Sequence, residues 1–97
     1  MLTMTDNAVS AIRSLVHESH VPEGAGLRIA PVVKQDGSPA FAAELAAGPA
    51  PLDEVIDIGG ARVFLAPAAA TALDHKTLGA RVSEQGQVRF QVSERGE

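Results

Sequence analysis

With 97 residues, a formal net charge of −4 and no cysteine, the chain is too short for a second domain and too acidic for a typical nucleic-acid-binding surface. It also cannot form disulfides or thiolate metal sites from its own residues. Because no run of about 18 apolar residues is present and no basic segment precedes an apolar one near the start, we expect neither a membrane span nor a secretory signal, and a cytoplasmic location.

The first element is predicted to be a helix from Asp6 to about Ser19. Thr5 is a typical N-cap residue, and Asp6 places a negative charge in the first turn, where it interacts favourably with the helix dipole. Val21-Pro22 ends the helix, and Leu2 and Met4 before it form a short strand or an apolar lead-in. The helix presents one apolar face, formed by Ala8, Val9, Ile12, Leu15 and Val16.

A hairpin is predicted next, with its tip at Asp36-Gly37, the strongest turn signal in the chain. The first strand covers Gly26 to Val33, and Pro31 places its second half at an edge or a bulge because proline donates no ladder hydrogen bond. The returning strand covers residues 40–45. Arg28 is either an outward strand residue or the partner in a structural ion pair.

A second hairpin is predicted around Gly59-Gly60, since glycine tolerates the positive φ angles of a tight two-residue turn. A short helix then begins at Pro67, and two short strands follow at residues 78–82 and 88–92 with a turn at Gln85-Gly86. We therefore expect an α+β fold of mostly antiparallel hairpins, arranged as a distorted sandwich or mixed sheet and packed with the N-terminal helix and one short helix. Residues 1–97 are expected to form a single domain, with residues 93–97 as a frayed tail.

The order and spacing of several short motifs resemble one known family. Leu2 to Ala8 opens the first helix, Gly26-Leu27-Arg28-Ile29 opens the first long strand, and Glu44 closes the next. Asp53, Gly60 before Val63-Phe64-Leu65, and Leu73-Asp74 followed by Leu78 continue the pattern. Nearly the whole chain thereby resembles the HesB/IscA-like proteins, also called A-type iron-sulfur carriers. The resemblance implies a small protein that holds iron or an iron-sulfur cluster, often between subunits, and passes it to apoproteins.

The chain departs from this family at the positions that carry the chemistry. The family pattern has one Cys in the loop after the Gly-Leu-Arg strand and a Cys-Gly-Cys pair in the C-terminal tail. The loop Cys falls at or beside Asp36, and the tail pair has no counterpart before Glu97. The resemblance thus supports the fold, while the ligands that it implies are missing.

Three residues form the speculative metal set, namely Asp36, His17 and His20. A carboxylate binds iron, but one oxygen ligand does not replace three soft thiolates, and Asp-Gly commonly serves only to make a turn. His17 and His20 would share a helix face only if the helix persisted through Ser19. Solvated helix-end histidines are the favoured interpretation, because no third ligand stands nearby in the sequence. His75 is interpreted as a surface residue, because no serine or cysteine stands beside it to be activated.

An acidic cluster of Asp53, Glu54 and Asp57 accompanies the second hairpin. Paired carboxylates in a pocket could perform acid-base chemistry, but a solvated edge that discourages strand-to-strand aggregation is the favoured interpretation.

The sequence therefore favours a protein that is not an enzyme and has no cofactor: a HesB/IscA-like scaffold without cluster ligands that acts as a binding or adaptor module, connected with iron-sulfur cluster assembly. The alternative is a small metal-binding protein that uses His and carboxylate side chains. We expect a protein partner or self-association as a dimer, through edge strands such as Gly26 to Val33 and Val88 to Val92, and no nucleic-acid or membrane partner.

Overall fold

The computed structural model describes residues 2–22 and 24–94, and in them it has two helices and two mixed β-sheets. The elements in chain order are β1 (Thr3–Met4), α1 (Asp6–Glu18), β2 (Gly26–Val33), β3 (Pro39–Ala46), β4 (Glu54–Ile58), β5 (Ala61–Leu65), α2 (Pro67–Ala72), β6 (Lys76–Val82) and β7 (Val88–Glu94). The predicted α+β class, the two helices, the two hairpins and the last two strands with their turn are confirmed, and those last two strands pair as a third hairpin.

Local chemistry explains where α1 begins and ends. The backbone N–H of Ala8 donates to Thr5 Oγ1 at 3.1 Å, so Thr5 is the N-cap as predicted. The helix ends at Glu18, and the backbone N–H of Ser19 closes the last turn on the carbonyl oxygen of Leu15. Ala8 and Ile12 are buried on the predicted apolar face, so helix α1 is held mainly by packing against the sheets.

The sheets have strand orders β1-β6-β7 and β3-β2-β5-β4. Antiparallel hairpins supply β2-β3, β4-β5 and β6-β7, whereas β1 pairs with β6 and β2 pairs with β5 in parallel. The parallel pairs join segments that are distant in the chain, for which the sequence carries no local signal. Gly59 and Gly60 have φ of +59° and +88°, as the tight β4-β5 turn requires.

The core lies where α1 meets both sheets. It is built from Ala, Val, Leu and Ile, as the composition predicts, and Ile12, Leu27, Val63, Leu65 and Leu78 are at most 2% exposed. Phe64 is also buried, at 1% exposure, but it lies outside this main core. It is paired with Arg28 of β2 on one side and with Val55 of β4 on the other. Its neighbour Val63 and the paired Leu27 belong to the main core.

Two expectations differ from the structure. β2 is not an edge strand, because residues 27–29 pair with β3 on one side and β5 on the other. Only its second half, with Pro31, has one unpaired side. The other predicted edge strand, Val88 to Val92, lies in β7, which is an edge of its sheet. Ser93 and Glu94 of the expected frayed tail are paired in β7, and residues 95–97 lie outside the described residues.

Candidate functional site

Asp36 stands at the tip of the β2-β3 hairpin, as predicted. The tip is closed by backbone hydrogen bonds from Lys34 N–H to the Ser38 oxygen and from Gly37 N–H to the Lys34 oxygen, each 2.9 Å long. Gly37 has a φ of +86°, a conformation in which a side chain is strained. The favoured interpretation of Asp36-Gly37 as a turn is confirmed.

The Asp36 carboxylate is engaged within its own turn. Its Oδ1 atom accepts from the Ser38 hydroxyl at 2.6 Å and from the Ser38 backbone N–H at 2.9 Å. Both hydrogen bonds lower the pKa of Asp36, and the one from the Ser38 hydroxyl has the larger effect. The carboxylate is therefore ionised at neutral pH. Three thiolates and this single oxygen donor are chemically different ligand sets, and the residues at the tip do not fit an iron-sulfur cluster.

The structure does not place His17 and His20 on one helix face. His17 lies in the last turn of α1, while His20 lies beyond the helix with a φ of +52°. Both side chains are exposed. Within residues 2–22 and 24–94 no group of three or more His, Asp or Glu side chains is arranged to hold a metal ion.

A second polar cluster ties the base of the same hairpin to the loop after β3. Arg28 of β2 forms a two-pronged ion pair with Asp53: Nε donates to Oδ2 at 2.8 Å and Nη2 donates to Oδ1 at 3.0 Å. The Asp53 Oδ2 atom also accepts from the backbone N–H of Ala50 at 2.8 Å, and Asp53 N–H donates to the Ala50 oxygen at 3.0 Å. The loop between β3 and β4 is thereby fixed onto the sheet.

Burial distinguishes this ion pair from those on the surface. The Asp53 side chain is 1% exposed and that of Arg28 is 30% exposed, so the expectation of a solvated Asp53 is wrong and Arg28 is a structural ion-pair partner. The hydrogen bond from Arg28 lowers the pKa of Asp53, and its reciprocal effect raises the pKa of Arg28. Asp57, by contrast, pairs with Arg62 at 3.1 Å with both side chains more than 40% exposed. His75 contacts Asp74 at 3.3 Å and is exposed, as predicted.

The arm, which is the tip end of the β2-β3 hairpin at residues 30–42, carries exposed apolar side chains on both faces. Val33 is 75% exposed, while Val32 and Phe41 are 42% and 43% exposed. Val32 and Val33 lie beyond residues 27–29, where β2 is paired with β5, and Phe41 is paired with Pro31.

Sequence reasoning missed an open groove between the two sheets. It has a volume of about 590 Å³ and is bordered by α1, β3 and the start of β7. The residues that line it are distant in sequence, and nothing in a local pattern indicates that the ends of three elements converge there. The apolar residues that line it are Leu15, Leu27, Ala43, Leu45, Val88 and Phe90.

No helix in the described part of the chain combines the length and apolar character needed to cross a membrane. No protein-family model matches the sequence, and no curated protein sequence is significantly similar to it. Fold similarity, in contrast, extends over almost the entire chain.

Three solved structures have the same fold. The structure of IscA with the [2Fe-2S] cluster aligns with a TM-score of 0.78 and 23% identity over 98% of this chain and 86% of that one. Escherichia coli SufA, involved in the biosynthesis of iron-sulfur clusters, aligns with a TM-score of 0.78 and 20% identity over 99% of this chain and 82% of that one. A protein from Aquifex aeolicus, studied by solution NMR, aligns with a TM-score of 0.75 and 22% identity over 96% and 90% of the two chains.

Proposed function

We propose that this chain, which has the fold of IscA and SufA and no cysteine, is a non-catalytic binding or adaptor module connected with iron-sulfur cluster assembly. The observation that carries the proposal is the combination of a fold shared over at least 96% of the chain with the absence of cysteine from these 97 residues. Thiolates are the usual protein ligands of iron-sulfur clusters, so these 97 residues cannot hold a cluster through cysteines of their own, and this supports a role in binding rather than in carrying a cluster.

The surface near Asp36 supports a role in binding rather than in chemistry. The carboxylate is used in its own turn, and the strands behind it expose Val33 and Phe41. A rigid turn that presents apolar side chains suits contact with a protein partner, which is the partner class we propose, in the cytoplasm.

Self-association as a dimer is the other form that this binding could take. Strand β7 is a sheet edge, and an edge strand pairs readily with another chain. Size-exclusion chromatography with light scattering at high protein concentration tests it, and a monomer would remove self-association from the proposal.

The test of the cellular role is deletion of the gene, followed by measurement of iron-sulfur enzyme activities and complementation with the wild-type chain. We expect the activities to fall in the deletion strain and to recover on complementation. A doubly substituted arm, Val33→Ser with Phe41→Ser, is expected to fold and to fail to complement. Its matched control is Leu52→Ser, which removes a side chain that is 79% exposed outside the arm. Unchanged activities in the deletion strain, together with no partner in a pulldown from native extract, would contradict the proposal.

The second candidate is a metal-binding protein that uses His17, His20 and Asp36, although among the described residues these side chains are not grouped around one position. The observation that favours it is the lowered pKa of Asp36, which keeps this carboxylate ionised and leaves Oδ2 free of any hydrogen bond from Ser38. Elemental analysis of untagged protein tests it directly. Stoichiometric iron or zinc that is lost in Asp36→Ala would support it, and protein without stoichiometric metal would exclude it.

A further inference from the structure

The groove between the sheets lies between two strand edges. Strand β3 ends the sheet of order β3-β2-β5-β4, and β7 ends the sheet of order β1-β6-β7. Both strands border the groove, which is therefore flanked by backbone N–H and C=O groups that neither sheet uses. A segment of extended chain is the occupant that can satisfy such groups.

The floor and walls of the groove are apolar. Leu27, which is 2% exposed, belongs to the core, and Leu15 of α1 lies beside it in the groove lining. Phe90 of β7 is paired with the buried Ala80 of β6, so the two side chains lie on the same face of the sheet. Val88, two residues before Phe90, lies on that face as well, and both Val88 and Phe90 pack against the core. Side chains at alternate positions of an extended segment would therefore meet apolar surface.

The charge at the helix end of the groove is negative. Glu18 is the last residue of α1, is exposed, and lines both this groove and a neighbouring cavity of about 600 Å³ between α1 and the β6-β7 hairpin. Among the described residues no ion pair is formed by Glu18, and the C-terminal end of a helix adds its own negative potential. Glu44 of β3 also borders the groove and adds a second negative charge. Arg89 borders it as well, but it is paired with Arg81 on the face of β7 opposite to Val88 and Phe90. This charge distribution favours a basic residue in the occupant.

From these observations we infer that the groove binds an extended segment of a partner protein, apolar at alternate positions and carrying a Lys or Arg that reaches Glu18. The inference rests on the proposed binding role and names its surface and the chemistry of its partner. The segment adds as a strand to the edge of β3 or β7 and inserts its apolar side chains over Leu15 and Leu27.

The test uses the peptide acetyl-Lys-Ile-Thr-Val-Thr-Val-amide and the full 97-residue chain. We expect binding with a Kd of roughly 10⁻⁴ M or below, and amide chemical-shift changes that map to β3, β7 and the end of α1. The peptide with Glu in place of Lys is expected to bind roughly fivefold more weakly. Absence of binding at millimolar peptide would overturn the inference.

A matched pair of variants separates the groove from the remainder of β3. Ala43 and Ala42 are both exposed on this strand, but Ala43 lines the groove, whereas Ala42, which is paired with Ala30, is not among the residues that line it. Ala43→Arg is expected to weaken peptide binding at least about tenfold, and Ala42→Arg less than about twofold, although both add the same charge. Equal weakening by both variants would contradict the groove as the site.

A second pair tests the charge. Glu18→Lys is expected to weaken binding of the Lys peptide about fivefold and to strengthen binding of the Glu peptide. Asp57→Lys is the control, because it makes the same charge change on β4, at the edge of its sheet opposite to β3. It removes only the exposed ion pair with Arg62. If Asp57→Lys has the effect of Glu18→Lys, net charge rather than Glu18 governs binding and the charge assignment is wrong.

The outcomes also distinguish this inference from the proposed function. If deletion of the gene lowers iron-sulfur enzyme activities while Ala43→Arg complements fully, the groove is not the binding surface, although the adaptor role stands. If the peptide binds the groove but deletion has no effect, the binding site stands and the cellular role fails. If no peptide binds and Ala43→Arg instead dissociates a dimer, the occupant is a second copy and the inference is overturned.

Discussion

The base and the tip of the β2-β3 hairpin are built from the same two strands but differ in what surrounds them. At the base, residues 27–29 pair on both sides, and the Arg28-Asp53 ion pair fixes the following loop against the sheet. At the tip, Asp36 makes its hydrogen bonds within its own turn, and Val33 is 75% exposed. The comparison teaches that the tertiary contacts of this hairpin are concentrated at its base, while its tip is held by local hydrogen bonds and stays exposed.

The largest predicted effect concerns Gly26, at the base. A Cβ atom at this position would overlap the backbone carbonyl of Arg62, where β2 begins beside β5. We expect Gly26→Ala to reduce the free energy of unfolding by about 2–3 kcal/mol, because the backbone cannot move without disturbing the parallel pair. Urea denaturation measures it. Gly48→Ala is the control, since open space surrounds that position, and a change of more than about 0.5 kcal/mol in the control would cast doubt on the steric explanation.

The next effect concerns the ion pair that fixes the base. Asp53→Asn removes the charge from a side chain that is 1% exposed and leaves Arg28 without its carboxylate partner. We expect a clear loss of stability, larger than that caused by Asp57→Asn, which weakens only the exposed pair with Arg62. Denaturation midpoints of the two variants, measured side by side, decide the matter. Equal midpoints would mean that burial of Asp53 adds nothing to the pair.

The same ion pair predicts a pH dependence. Because the pKa of Asp53 is lower in the folded protein than in the unfolded chain, its contribution to stability is complete above the unfolded value of about 3.9 and is lost as the pH falls through the folded pKa. Asp36 contributes in the same direction. We expect the unfolding free energy to fall below about pH 4 less steeply in Asp53→Asn than in the wild type. Parallel acid profiles for the two proteins would contradict this assignment.

The smallest effect is predicted at the tip. Gly37 has a φ of +86°, but no atom lies within 4 Å of the position that a Cβ would occupy. Gly37→Ala therefore meets conformational strain without a clash, and we expect a loss of about 1 kcal/mol, smaller than that of Gly26→Ala. Thermal and urea unfolding check the order of the two glycine variants. The reverse order would show that the tip, and not the base, holds the hairpin.

Much of the fold could be predicted from the sequence because its signals are local. Thr5 as N-cap, Gly59-Gly60 and Asp36-Gly37 as turns, and Pro67 at the start of α2 each act on their immediate neighbours. The prediction for Asp53 was wrong because its environment depends on Arg28, which is 25 residues away in the chain. The favoured interpretation of His17 and His20 as exposed residues at the helix end is confirmed, since α1 ends at Glu18, within one residue of the predicted end.

The sequence by itself determined the element types, the α+β class, the apolar composition of the core and the absence of every cysteine ligand. Hydrophobic periodicity, capping residues and residue chemistry are properties of short segments, so they can be recognised without a partner segment. Only the tertiary structure decided the parallel pairs β1-β6 and β2-β5, the burial of Asp53 and the groove bordered by α1, β3 and β7. These features arise where segments distant in the chain pack together, and the free energy of such packing depends on shape and burial that no single segment contains.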